Sequence, residues 1–267
     1  MMKSPLELNI ERELISSLQG KSLELANYVL NDEEIHIYQE LANTVSIKRL
    51  GFNDHGPVHM RKVTLNAIKM FQILTEAGIV SNIVKEEIGT VEDSRIAVFL
   101  AAFLHDIGMA IGRQNHEISS FVLSDQIILR ILKTIFPNEI NRQIVIKSTV
   151  LEGIMGHMTH HAVHSLEAGI ILIADGCDME KGRARIPMLI NQESRVGDIH
   201  KYSSSAIEKV TIDKGDEKPL RITIEMSASV GFFQVEEVLI TKIMASTVKP
   251  YIELYAFVTG RDVKRYI

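Results

Sequence analysis

The sequence predicts a mainly α fold: an all-helical domain over residues 1–200, followed by a small α+β unit of β-β-α-β order over 201–267. Three observations lead there. Apolar residues recur at helical spacing through most of the first 180 positions, the pattern of segments that bury one stripe. Alternation replaces that spacing after about residue 200, as in "LRITIEM", where Leu220, Ile222, Ile224 and Met226 alternate with Arg221, Thr223 and Glu225. The chain has 267 residues, 46% of them hydrophobic and 24% charged, which is the make-up of a globular protein with room for one sizeable domain and an appendage.

The first fifty residues read as helical, on positions such as Leu14, Ile15, Leu18, Leu23, Leu25, Ala26, Val29 and Leu30. "NDHGP", 53–57, is a loop and helix start, in which Asn53 or Asp54 can cap and Pro57 suits a first turn. The helix begun there runs to about Glu76 and ends at Gly78. Further helices are predicted at about 92–108, 116–136, 138–160 and 165–179, with Pro137 and Asn138 parting the second from the third. "HKYSSS", from His200, reads as a linker. "IEKVTID" and "LRITIEM" then read as strands, "VEEVLITKI" as a helix through Val235, Val238, Leu239 and Ile243, and "YIELYAFV" as a strand.

Composition excludes several classes. The single cysteine, Cys177, rules out an intramolecular disulfide framework and fits a reducing compartment. No apolar stretch approaches the roughly 18 residues of a membrane span. "MMKSPLELNIEREL" lacks the apolar centre of a signal peptide, so the expected location is the cytoplasm, with no membrane partner. A net charge of −5 argues against broad nucleic-acid binding.

The chemistry concentrates in one region. The apolar run "IAVFLAAFL" delivers His105 and Asp106 side by side, and eight of the ten histidines lie between 55 and 164. His59 shares a helical stripe with Val63, Asn66, Ala67, Met70 and Leu74. His157 follows Val150, Gly153 and Ile154 on one stripe, and His161 is the next i+4 step. Asp175 follows Ala168, Ile171 and Leu172, and His116 opens a helix whose inner face continues through Ser120, Leu123 and Ile127. Buried imidazoles and carboxylates persist when paired or coordinated, so side chains aimed inward from several helices point to a metal cluster. A mixed imidazole and carboxylate set suits Mn, Fe, Co, Ni or Zn better than Mg or Ca.

These residues resemble the HD-domain superfamily of metal-dependent phosphohydrolases, whose signature is a His, a later His-Asp pair and a distal Asp on successive helices. The matching positions are His59 in "HGPVHMRKV", His105 and Asp106 in "FLHDIG", and Asp175 in "ILIADGCD", and the resemblance covers roughly residues 50 to 185. It implies an all-helical core and a metal held by His59, His105, Asp106 and Asp175. By analogy with two-metal members, Asp106 bridges to a second ion held by His116, His157 and one of His160 and His161, of which His161 is favoured. The chain departs from the HD-GYP type of cyclic di-GMP phosphodiesterase, with Met109 in place of its lysine and no Gly-Tyr-Pro element.

His55 is similar to the general-acid histidine of helical cyclic-nucleotide phosphodiesterases. Lys181, Arg183 and Arg185 stand where ribonuclease Y has a basic segment and are expected to bind substrate phosphate. Asp178 is expected to pair with a nearby cation. The implied activity is hydrolysis of a phosphate ester, a nucleotide-like phosphodiester ahead of a monoester, by hydroxide generated at two divalent ions. The alternatives are a single-metal nucleotide phosphomonoesterase and a regulatory protein that binds without turnover. The C-terminal unit is expected to serve as a dimerisation or lid element, making a homodimer the expected assembly, and nothing in it marks a duplex nucleic-acid site.

Overall fold

The apolar run from Ile96 to Leu104 lies at the centre of the helical domain, with every residue in it buried. A helix hydrophobic on all sides must be wrapped by others, and this one is. The computed structural model of the protein describes residues 3–181 and 198–267. Its helices are α1 (Pro5–Ser16), α2 (Gly20–Leu30), α3 (Glu33–Asn43), α4 (Pro57–Glu76), α5 (Asn82–Lys85), α6 (Val91–Leu104), α7 (His116–Ile135), α8 (Ile140–Gly156), α9 (Leu166–Gly176) and α10 (Asp198–Ser205). A π-helical turn follows α3 at Thr44–Arg49, and a 3-10 turn follows α6 at Ile107–Ala110. Helix α6 packs against α4, α8 and α9, which carry three of the histidine and aspartate motifs in or beside them.

Local chemistry sets the boundaries. Ser4 with Glu7 and Thr90 with Asp93 form capping boxes at α1 and α6. Gly78 ends α4 as expected, with φ +80°. At the start of α4 the capping residue is Gly56 rather than Asn53 or Asp54, while Pro57 takes the first turn. Asp54 Oδ1 instead accepts from the Gly56 N–H at 2.7 Å. A Cβ on Gly56 would sit 2.4 Å from Asn43 Cβ, so only glycine lets α3 approach here. Behind α4 the fully buried Arg61 donates to Glu11 and Gln39, each at 2.8 Å, and Gln39 donates to the Phe103 carbonyl at 3.0 Å. That network ties α1, α3, α4 and α6 together just ahead of His105.

The tail follows the predicted β-β-α-β order with one added strand. β1 (Ile207–Lys214) pairs antiparallel with β2 (Leu220–Met226), which pairs parallel with β3 (Ile252–Val258), and a short β4 (Lys264–Arg265) completes the order β1-β2-β3-β4. The parallel β2–β3 pair requires a crossover, which a π-helical segment, Gln234–Leu239, and α11 (Ile240–Ala245) supply. Leu220, Ile222, Ile224 and Met226 are all buried, as their alternation predicts. "HKYSSS" is a correction: it belongs to α10, not to a linker. Ser203 and Ser204 are buried, with Gln234 donating to Ser203 Oγ and Ser204 donating to the Met179 carbonyl, so tertiary partners satisfy hydroxyls that otherwise favour loops. Among the described residues, no helix is long and apolar enough to cross a membrane.

One buried carboxylate closes the sheet. Glu253 on β3 accepts from the backbone N–H groups of Asp216, Glu217 and Lys218 and from Arg221. Burial alone would raise its pKa from 4.5, but these donors hold it at about 2. A depressed carboxylate stabilises the fold above its ordinary pKa and loses that contribution as pH falls through the folded value. Glu253→Gln is therefore expected to cost about 2–3 kcal/mol at neutral pH, the worth of hydrogen bonds to a charged group. The difference between variant and parent should shrink as pH drops from 4.5 toward 2. Urea unfolding at several pH values checks this, and an equal difference at pH 7 and pH 3 would remove the assignment.

Candidate metal centre

The candidate side chains gather at helix ends. His59 lies in the first turn of α4, His105 directly follows α6, His116 opens α7, His157 directly follows α8, and Asp175 sits in the last turn of α9. Asn115 precedes His116 in the left-handed conformation, φ +53°, which turns the chain into α7. Three of the imidazoles repeat one device. His105 Nδ1 donates to the Ala102 carbonyl at 2.8 Å, His116 Nδ1 to Arg113 at 2.9 Å, and His157 Nδ1 to Ile154 at 2.6 Å. Each satisfies a carbonyl three residues back, and at α6 and α8 that carbonyl belongs to the otherwise unpaired last turn of the helix. His59 Nδ1 meets the Asp178 carboxylate instead, at 2.6 Å.

All four Nε2 atoms then face inward, and they face one another. His59 and His105 approach at 3.2 Å through these nitrogens, and His116 and His157 at 3.1 Å. A neutral imidazole whose Nδ1 donates has only a lone pair on Nε2. With all four imidazoles neutral, lone pairs and carboxylate oxygens converge without a proton donor among them, an arrangement a cation satisfies. Burial pulls the His157 pKa down to about 4, so its Nε2 is unprotonated at neutral pH.

Asp106 joins the two pairs. Its Oδ2 lies 3.2 Å from His59 Nε2 and 3.5 Å from His105 Nε2, and its Oδ1 lies 3.1 Å from His116 Nε2 and 3.5 Å from His157 Nε2. Burial would raise the Asp106 pKa, but the surrounding imidazoles, whenever one of them takes a proton on Nε2, hold it well below the usual carboxylate range, so the carboxylate is ionised. Asp175 Oδ1 completes the first group at 3.4 Å from His59 and 3.7 Å from His105. Two groups are therefore placed to hold metal, His59–His105–Asp106 and Asp106–His116–His157. With metal–ligand bonds of about 2.1 Å, neighbouring ligands lie roughly 3.0–3.4 Å apart, close to the observed spacing.

Other expected residues fare differently. His161 is exposed and outside both groups, lining a surface cavity with Phe121, Glu152 and Met155. Its i+4 relation to His157 requires a continuing helix, but α8 ends at Gly156, where Val163 packs so closely that a Cβ would meet it at 2.2 Å. His160 is also exposed and bonds Glu117 at 2.9 Å. His55 is buried beside His59, with ring centroids 5.6 Å apart. Its Nε2 receives an Arg113 N–H at 2.9 Å, and because arginine only donates, that nitrogen carries no proton in this arrangement. Lys181 is exposed and pairs with Glu208 on β1, while Arg183 and Arg185 lie outside the described residues.

Three participants escaped the sequence reading or were misread. Asp178 pairs with an imidazole N–H rather than a separate cation, orienting His59 as carboxylates commonly orient metal-binding histidines. Arg113 stacks over Phe52, 5.4 Å from the ring centroid, and holds His55. Lys242, from the tail, donates to Asp175 Oδ2 at 2.5 Å. Spacing to Asp175 does single out Asp178, though not its imidazole partner; nothing in the local pattern marks the other two. Asp178→Ala is expected to weaken metal binding about 10–100-fold while the fold persists, as loss of such partners does elsewhere. Isothermal titration of the metal-free protein with Co²⁺ would detect this, and unchanged affinity would refute it.

Comparison with known proteins agrees with this geometry. The family model described as "HD domain" matches residues 58–180, the stretch that contains every member of both donor groups. The uncharacterized protein MJ1020 of Methanocaldococcus jannaschii is 38% identical over 248 residues, covering 93% of each chain. No solved structure matches the chain. Buried histidine–aspartate groups on successive helices, inside a matched HD stretch, place this chain in the HD-domain family of metal-dependent phosphohydrolases.

Proposed function

We propose that the protein hydrolyses a phosphodiester of a small nucleotide-like substrate, using two divalent transition ions drawn from Mn, Fe, Co, Ni and Zn. Asp106 carries this reading, because its two oxygens face separate groups of imidazoles. When bound, a metal pair supplies Lewis acidity and a lowered water pKa, which helps most with the poor alkoxide leaving group of a diester. The chain's own residues do the rest. Their Nδ1 bonds hold the four imidazoles in position, so little reorganisation is needed at the moment of reaction.

The exposed Arg113 guanidinium has the fork geometry to pair with phosphate oxygens. Moving it from His55 Nε2 onto the substrate lets that nitrogen take up a proton from solvent, which the imidazolium then gives to the departing oxygen as general acid. The basic segment with Lys181, Arg183 and Arg185 adds further positive charge for the phosphate.

Metal-reconstituted protein should hydrolyse bis(p-nitrophenyl) phosphate faster than p-nitrophenyl phosphate, lose that activity to a chelator and regain it with Mn²⁺ or Co²⁺. Full activity on the monoester with one ion per chain would instead establish a single-metal phosphomonoesterase. Protein carrying two ions but cleaving neither ester would establish a binding role.

A further inference from the structure

Helix α9 and the C-terminal unit are fastened near both ends of the helix. Gly169 on α9 lies so close to the segment after α11 that a Cβ would meet Thr247 Oγ1 at 2.1 Å. Ser246 donates to the Gly169 carbonyl and Thr247 to the Ser165 carbonyl, both at 2.8 Å. About two turns further along α9, Gly176 leaves a passage: a Cβ there would stand 3.0 Å from Lys242 Cδ and 3.1 Å from Leu239 Cδ1. Through that passage the Lys242 side chain runs into the helical domain.

The ammonium ends among the donor groups. It is buried, 2.5 Å from Asp175 Oδ2 and 2.8 Å from the His157 carbonyl oxygen. Burying a lysine is costly unless it is paired and hydrogen-bonded, and these contacts meet that requirement. Asp175 Oδ1, the other oxygen of the same carboxylate, is the one turned to His59 and His105. Lys242 therefore holds the far side of a carboxylate whose near side faces the metal-binding nitrogens.

We propose that Lys242 is a positioning residue of the metal centre, orienting Asp175 for the first ion, and that the C-terminal unit is thereby a working part of that centre. The proposal rests on the metal-dependent reading above. Lys242 meets His157 of the second group, Asp106–His116–His157, only at the backbone carbonyl, while the imidazoles of His116 and His157 are aimed by their own Nδ1 bonds to Arg113 and Ile154. The effect is thus confined to one ion of the two.

The test is a Co²⁺ titration of the full-length, metal-free protein, followed by visible absorption of the bound ion and by calorimetry. Lys242→Gln keeps a hydrogen-bond donor near Asp175 on a somewhat shorter side chain and removes the charge; Lys242→Arg keeps the charge. In the glutamine variant one equivalent should bind about 10–100-fold more weakly and the other as in the parent, with partial recovery in the arginine variant. A merely structural lysine would lower the melting temperature of both variants and leave both affinities alone, which would overturn the proposal. If the glutamine variant does not fold, the arginine variant decides by its affinity for the first equivalent, where parental binding together with an altered cobalt spectrum supports positioning and an unaltered spectrum refutes it. Parent protein that binds no Co²⁺ would instead overturn the metal-dependent reading itself, and the role of Lys242 with it.

Discussion

Asp106→Ala is expected to remove both ions at once and to lower phosphate-ester turnover by at least about 100-fold. Losing a partner of a single ligand costs about 10–100-fold in many metal sites, and Asp106 is itself shared by two groups, so that range is a floor. The expectation follows from the carboxylate's geometry, with one oxygen 3.2 Å from His59 Nε2 and the other 3.1 Å from His116 Nε2. Elemental analysis of purified variant and parent, alongside turnover of a nitrophenyl ester, measures both effects. Retention of two ions per chain by the alanine variant would show that the groups do not depend on this carboxylate. Loss of only one ion would assign Asp106 to a single site.

A single methyl group at Gly108 should do nearly as much damage from outside the donor set. A Cβ there would lie 2.2 Å from the His116 carbonyl oxygen and 2.3 Å from the Ser120 nitrogen, both backbone atoms of the first turn of α7. No rotamer change can relieve such a clash, so α7 must retreat. Overpacking of this kind typically costs about 1–3 kcal/mol. The retreat also strains the Gly108 N–H bond to Ser120 Oγ, 2.8 Å, and carries His116 away from Asp106. Gly108→Ala should therefore lower the urea midpoint and weaken the second ion, whereas Gly112→Ala, whose Cβ would meet nothing within 4 Å, should leave both near parental values. Identical metal stoichiometry in the two alanine variants would contradict this account of the glycine.

Much of the centre was legible because inward aim leaves a periodic trace. His59 shows it most clearly: Val63, Asn66, Ala67, Met70 and Leu74 on its stripe are all buried, so a reader of the spacing could place its imidazole inside. The alternation of β2 was equally legible, for the same reason at a period of two. Reasoning by stripe failed where a helix stopped. His161 is one step beyond His157 in an ideal helix, yet α8 ends at Gly156 and the chain turns back through Val163. The serines of α10 misled in the opposite direction, since their tertiary hydrogen bonds overrode a local preference for loop.

By itself the sequence determined the fold class, the order of the principal helices and strands, and most of the imidazoles and carboxylates that line the interior, because burial imposes a period on residue type. Only the tertiary structure decided which donors meet. Lys242 reaches Asp175 across 67 positions and Asp178 reaches His59 across 119, and no local pattern records contacts of that range. Packing also decided that the candidate donors stand at helix ends, where the nearby carbonyls take up Nδ1 and leave Nε2 turned inward.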